Sequence, residues 1–168
     1  MYRLPELLKA EPSATIYIPE GEKDVDNLRE RGLVATTNPM GAGKWSPGMS
    51  EPLLGRHVVI LPDNDPAGAA HARDIARELN GVAASIRTLA LPGLPPKGDV
   101  SDWLATGGTA KELEVMATAV EPWKMSQPAD DAAALRKAPL RANDCETQTD
   151  REFTVEGRGH SIRWLCAY

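Results

Sequence analysis

Three short acidic groups stand out in the chain: Glu20-Gly21-Glu22-Lys23-Asp24, Asp63-Asn64-Asp65 and Asp99-Val100-Ser101-Asp102. Carboxylates gathered in one place repel one another, and a divalent cation is the usual reason that a folded protein tolerates them. Hard ions such as Mg²⁺ take oxygen ligands, often one or two carboxylates with the remainder supplied by substrate phosphates. Asp63 and Asp65 are two positions apart, so an extended backbone turns both side chains to the same side. Metal-assisted chemistry on phosphate groups is the class these residues could perform.

The segments between the groups have the patterns needed to bring them together. Residues 14–18 are β-branched and aromatic and stop at Pro19, which predicts a buried strand with Glu20-Gly21 as the turn after it. Val25 and Leu28 lie on one face of a helix predicted over 23–31, with Gly32 as its stop. Residues 34–37 read as a second strand, followed by a loop rich in Gly and Pro that runs from Asn38 to Trp45. Residues 57–61, bounded by Gly55 and Pro62, predict a third strand that feeds straight into Asp63. Ala72, Ile75, Ala76 and Leu79 mark a helix over 67–79 that ends at Asn80-Gly81. A fourth strand is predicted over 85–91, then a stiff loop to Asp99 and short helices over 101–106 and 109–120. Thr109 with Glu112 three residues on forms a capping box at the start of the last helix.

This alternation predicts an α/β fold with a mostly parallel four-stranded sheet and helices on both faces, and with the site at the carboxyl ends of the strands. Glu20, Asp63 and Asp65 then share one edge. The chain divides into a lead-in over 1–12, this domain over 13–120 and a C-terminal extension over 121–168. Within the extension, residues 127–134 resemble a linker and 151–168 contain short β-like pieces. A disordered segment, an added hairpin and the remnant of a longer protein all fit it.

Composition removes several functions. The 19 Lys and Arg against 24 Asp and Glu give a net charge of −5, which argues against a broad basic surface as the means of holding nucleic acid. Aromatic residues are 5% of the chain, too few for a row of base-stacking rings. Cys145 and Cys166 form no C-x-x-C pair, so neither a zinc ribbon nor a disulfide framework is expected, and a reducing cytoplasm is the simplest compartment. No run approaches the about 18 apolar residues of a membrane span, so no membrane partner is expected. A Walker loop is excluded at Gly41-Ala42-Gly43-Lys44, because Asn38 and Trp45 stand where that motif needs Gly and Ser or Thr. His57, His71 and His160 have no metal-site spacing, and His71 is expected on the surface of its Ala-rich helix. Trp45 and Trp103 are read as core or rim residues.

Glu20-Gly21 after one apolar strand, Asp63-Asn64-Asp65-Pro66-Ala67-Gly68 after another, and the run Lys97-Gly98-Asp99-Val100-Ser101-Asp102-Trp103-Leu104 resemble the TOPRIM domain. That domain is shared by bacterial-type primases, phage primase-helicases, topoisomerases and certain nucleases. The resemblance covers about residues 13–108, and its wording is most like the primase-like TOPRIM proteins of phages and plasmids. It implies Glu20 as a general base or metal organiser, Asp63 and Asp65 as a metal-binding pair, and Asp99 as a further ligand. Asp102 matches an additional acidic position, and Gly21, Asp24 and Gly68 are supporting residues of the motifs. Lys23, Lys44 and Lys97 become candidates for phosphate or nucleic-acid contact.

The activity implied is Mg²⁺-dependent nucleotidyl transfer, with Mn²⁺ as a substitute. It would be of the DNA primase type used in DNA replication, acting on nucleoside triphosphates and a single-stranded DNA template. Tyr2, Tyr17 and Tyr168 are not placed as a topoisomerase tyrosine would be. Family primases also carry a zinc-binding module and an extra subdomain that nothing before residue 13 supplies. A zinc-binding primase module or a helicase acting in trans is therefore an expected partner. Two alternatives use the same residues: a metal-dependent nuclease, and a non-catalytic fragment that binds nucleic acid or protein. The plain reading of Asp63-Asn64-Asp65-Pro66 is a polar turn capping a helix, and Asp65 is expected to serve in both roles. Glu22 is read as a helix-start residue outside the catalytic set.

Overall fold

Side-chain alternation along the strands decides the layering. The computed structural model describes residues 1–39 and 44–124, which lie within one unit, Met1–Ser126. Its elements are α1 (Leu4–Lys9), β1 (Thr15–Pro19), α2 (Glu22–Glu30), β2 (Val34–Ala35), β3 (His57–Leu61), α3 (Pro66–Leu79), β4 (Ser85–Thr88), α4 (Val100–Ala105) and α5 (Ala110–Ala119). The strands form one sheet in the order β2-β1-β3-β4, and every neighbouring pair is parallel. Ile16, Ile18, Val58 and Ile60 face Leu7 of α1 and Ala72, Ile75 and Leu79 of α3. Tyr17, Val59 and Leu61 face Val25 and Leu28 of α2, Trp103 and Leu104 of α4 and Leu113 of α5. A parallel sheet covered on both faces needs apolar residues at every strand position, which is why the strands read as continuous apolar runs. The α/β fold with helices on both faces is as expected, and the sheet is wholly parallel.

The strand order places the site. After β1 the chain passes through α2 to β2 on one side, and after β3 it passes through α3 to β4 on the other. Beyond the carboxyl ends of β1 and β3 the two connections diverge, and a crevice at such a switch point is where open α/β sheets receive ligands. The two strands are in register from Thr15↔His57 to Pro19↔Leu61. Glu20 therefore leaves the sheet level with Pro62, one residue before Asp63.

Several elements depart from the sequence pattern for identifiable reasons. Strand β2 has two residues; the Thr36 N–H still reaches Tyr17 O of β1 at 3.0 Å, and both threonine hydroxyls and the Thr37 carbonyl go to other partners. Thr36 Oγ1 donates to Tyr2 O at 2.7 Å, Tyr2 N–H donates to Thr37 O at 2.9 Å, and Thr37 Oγ1 donates to Glu20 O at 3.2 Å. Strand β4 ends at Thr88, and Leu89 and Leu91 turn into the core. Helix α1 was not predicted within the lead-in. It is six residues long and held by tertiary contacts: Leu7 is fully buried, and the Arg56 guanidinium donates to the carbonyls of Leu7, Ala10 and Glu11.

His71 is not a surface residue. It is 3% exposed, and its Nε2 lies 3.2 Å from Asn38 Oδ1, because the α3 face that carries Ala72 and Ile75 into the core carries His71 inward beside them. Trp103 is in the core, while Trp45 is half-buried with its Nε1–H on Ser50 Oγ at 3.1 Å. The capping box at α5 is present, with Glu112 N–H on Thr109 Oγ1 at 3.2 Å and Thr109 N–H on Glu112 Oε2 at 3.0 Å. Among the described residues no helix is long and apolar enough to cross a membrane. The readings on Gly41 to Gly43, the 127–134 linker, Cys145, His160, Cys166 and the β-like pieces over 151–168 fall outside the described residues.

The central strand carries both layers, so it is the place to test the packing. Ile60→Ala is expected to destabilise the fold by about 2–5 kcal/mol, the usual range for an aliphatic side chain buried this fully. Urea denaturation followed by circular dichroism measures it, and a change below about 1 kcal/mol would contradict the assigned core.

Candidate functional site

Glu20 follows β1 directly, and its Oε1 accepts the Asp63 N–H at 3.2 Å, bridging the ends of the two central strands. This approach needs a residue without a side chain at the start of α3. A Cβ on Gly68 would lie 2.6 Å from Asp63 O and 2.9 Å from Asp63 N, and would also collide with Glu20 Oε1. Gly21 has a comparable role, since a Cβ there would come within 2.8 Å of Asp24 Oδ2. These two glycines thus leave room for carboxylates.

Asp65 is the N-cap of α3, with Oδ1 accepting the Gly68 N–H at 2.7 Å. Asp99 caps α4 in the same way, accepting the Asp102 N–H at 2.8 Å, while Asp102 returns a carboxylate to the Asp99 N–H at 3.2 Å. Lys23 donates to Asp99 Oδ2 at 2.9 Å. Burial alone would raise the Asp99 carboxyl, but the Lys23 ammonium and the Asp102 N–H outweigh it and hold Asp99 below the usual carboxylate range. Asp24, 4% exposed, is raised chiefly by burial, against a hydrogen bond from Ser101 Oγ. Ser101 Oγ in turn accepts from Asn27 Nδ2 at 2.6 Å, so α2 and α4 are joined beneath the site.

Asp63 is the exception among these carboxylates. Glu20, Asp24, Asp65 and Asp99 each accept a hydrogen bond, whereas no described residue donates one to the Asp63 carboxyl. Burial, and after it the negative charges of Glu20, Asp24, Asp99 and Asp65, push it up to about 7. A cavity of about 420 Å³ opens beside it, lined by Asp63, Asn64, Asp65, Ala69, Leu91 and Leu94 among others.

The structure thus brings together Glu20, Asp24, Asp63, Asp65 and Asp99, with Lys23 paired to Asp99. Lys97 is exposed, and its N–H donates to Asn64 O at 3.0 Å. Lys44 is exposed and has no described contact with the acidic edge, and Asp102 serves the α4 cap. The sequence reading missed Asn64, Ser101 and the Asn38–His71 pair, whose partners are 30 or more positions away. Burial holds His71 below the usual histidine range, against the opposing charges of Glu20 and Asp74.

Among the described residues no three His, Cys, Asp or Glu side chains already enclose a metal-sized point. The donor set nevertheless fits a hard cation that keeps most of its waters. Such an ion needs one or two carboxylates, and Asp63 offers one whose charge no donor offsets.

Fold and site together define a class: a wholly parallel α/β sheet with carboxylates converging at the switch point between its central strands. A solved structure described as the E. coli primase catalytic core shares this fold, with a TM-score of 0.55 at 18% sequence identity. The match covers 80% of this chain and 47% of that one, so the chain spans about half the length of that structure. No protein-family model matches the chain, and no curated protein matches it.

Two expectations follow. Asp63 binds its proton more tightly when folded, near 7 against an ordinary 3.8, so as pH rises the unfolded state ionises first and stability falls between these values. In metal-free buffer, Asp63→Asn is expected to be more stable than wild type at about pH 8. The gap should be roughly 2 kcal/mol after allowing for solvent screening of a half-buried group, and should close by about pH 4. Thermal denaturation across pH measures it, and equal stability at the higher pH would remove the repulsion. Separately, Gly68→Ala is expected to cost about 1–3 kcal/mol, because the new methyl meets backbone that cannot swing away.

Proposed function

We propose that the chain carries a TOPRIM-type site for Mg²⁺-dependent phosphoryl transfer on nucleic acid, of the DNA primase kind, with Mn²⁺ able to substitute. The observation that carries this reading is Asp63. It is a carboxyl raised to about 7 by burial and four neighbouring carboxylates, at the switch point of a fold shared with part of a primase catalytic core. Asp63 and Asp65 would hold the metal, with Glu20 and Asp99 beside them. When bound, the ion supplies charge stabilisation at phosphate oxygens and at a leaving pyrophosphate.

The chain's own residues set the conditions for that chemistry. Glu20 is fixed by the Asp63 N–H through one oxygen, which leaves the other free to accept a proton from an attacking 3′-hydroxyl. Asp65 spends Oδ1 on the helix cap and keeps Oδ2 for the metal. Lys97, exposed beside the acidic turn, is a cation available to a phosphate, whereas Lys23 is already paired with Asp99. Nucleoside triphosphates and a single-stranded template are the proposed ligands, with a helicase or zinc-binding module supplied by another chain.

A second reading is a binding module without activity of its own, which would use the same acidic edge. Calorimetric titration of Mg²⁺ and Mn²⁺ separates these readings from a site that takes no metal. Binding is expected in wild type and should be lost in the Asp63→Ala/Asp65→Ala variant. In a priming assay Asp63→Ala should lower product roughly a hundredfold or more with native circular dichroism. Unchanged product would take Asp63 out of the chemistry, and shortened rather than newly made strands would favour the nuclease alternative.

A further inference from the structure

We propose that Asn64 is a positioning residue that holds the loop of residues 94–98 against the acidic turn and so fixes Lys97 and Asp99 beside Asp63. This rests on the phosphoryl-transfer reading and states how that site is kept in shape. Asn64 stands between the two aspartates, yet its side-chain amide nitrogen and both of its backbone polar groups serve the loop. Its Nδ2 donates to Leu94 O at 2.8 Å and to Pro95 O at 3.0 Å. Its backbone N–H donates to Gly98 O at 2.9 Å, and its carbonyl accepts the Lys97 N–H at 3.0 Å.

The loop needs such an outside hold. Pro95 and Pro96 have no N–H to give, and the one backbone hydrogen bond described within the loop is Gly98 N–H to Pro95 O at 2.9 Å. Lys97 has φ +64, in the left-handed region that a residue with a side chain enters at a cost. Gly98 is buried so close that a Cβ would come within 2.8 Å of Pro95 Cδ. A strained turn of this kind persists only where its surroundings over-determine it, and Asn64 supplies four of the bonds that do so. Asp99 follows Gly98 directly and Lys97 precedes it, so the same bonds set where one carboxylate and one cation stand.

The chemistry also specifies the residue type. Two carbonyls require two N–H donors on a short arm, which asparagine has. Aspartate has the same size but only acceptors, and would add charge next to Asp63.

Hydrogen exchange of the full chain, comparing wild type with Asn64→Ala and Asn64→Asp, tests the hold. Both variants are expected to exchange the amides of residues 64 and 97 roughly tenfold or more faster, as loss of two hydrogen bonds implies, with the Ile60 amide unchanged. Unaltered exchange at these amides, or a normal Asn64→Asp beside a damaged Asn64→Ala, would overturn the proposal, since the second result would make side-chain volume the cause. The positioning role is read from Mn²⁺-dependent binding of a fluorescent nucleoside triphosphate. Asn64→Ala and Lys97→Ala should each weaken it several-fold, and the double variant little more than either, because a misplaced lysine has nothing further to lose. Additive losses would show that Asn64 does not act through Lys97. If wild type binds neither Mn²⁺ nor nucleotide, the phosphoryl-transfer reading falls, while hydrogen exchange still decides whether Asn64 holds the loop.

Discussion

The hydrogen bond from the Asp63 N–H to Glu20 Oε1 ties the ends of the two central strands, and the arrangement of the acidic edge follows from it. It exists because β1 and β3 run parallel and in register to their last residues, Pro19 and Leu61, so Glu20 emerges level with Pro62 and its carboxylate reaches the N–H of Asp63, the residue after it. It also constrains what comes next. Helix α3 has to begin within five residues of β3 and pass directly over the bonded pair, which leaves no room for a side chain at Gly68. Asp65 then caps that helix through the same glycine's N–H, so one glycine serves both the approach of Glu20 and the start of α3.

The carboxylates around this bond are compensated to very different degrees. Asp99 has a lysine and a backbone N–H, Asp65 has a helix N-terminus, and Asp24 has a serine hydroxyl. Asp63 has none of these, and the others act on it as four negative charges. Local strain of this sort is affordable because both faces of the sheet above it are filled with aliphatic side chains, and it is the usual mark of a site shaped for something other than stability. The compensating groups come from α2, α3 and α4, so the edge is held from both layers.

What was legible in the sequence was what depends on near neighbours. The third strand is found at the residues predicted, since Gly55 and Pro62 bound an uninterrupted apolar run. Helix α3 begins one residue earlier than the pattern suggested, at the proline after its cap, and the Thr109–Glu112 box opens α5 as expected. Features set by distant partners were not legible. Helix α1 is too short to show a period and depends on Arg56, some 45 positions on. His71 is polar on a helix of small residues, and only the packed structure reveals that it faces Asn38. Asn64 is read from the sequence only as part of a polar turn, because its partners lie on a loop 30 positions away.

Charge at the site also orders events on the proposed reading. A nucleoside triphosphate is a polyanion, and the edge it would approach holds five carboxylates with Lys23 already engaged by Asp99. One exposed lysine at position 97 cannot reverse that field at a few ångströms, where unscreened charges interact by several kcal/mol in a protein-like medium. A divalent cation would change the sign of the problem. It would lower the proton affinity of Asp63, use the carboxylates that repel a polyanion, and present positive charge toward its phosphates. The acidic edge therefore suits a sequence in which the ion binds first or arrives with the nucleotide, and the loop held by Asn64 then has one task, to keep a single cation in place beside it.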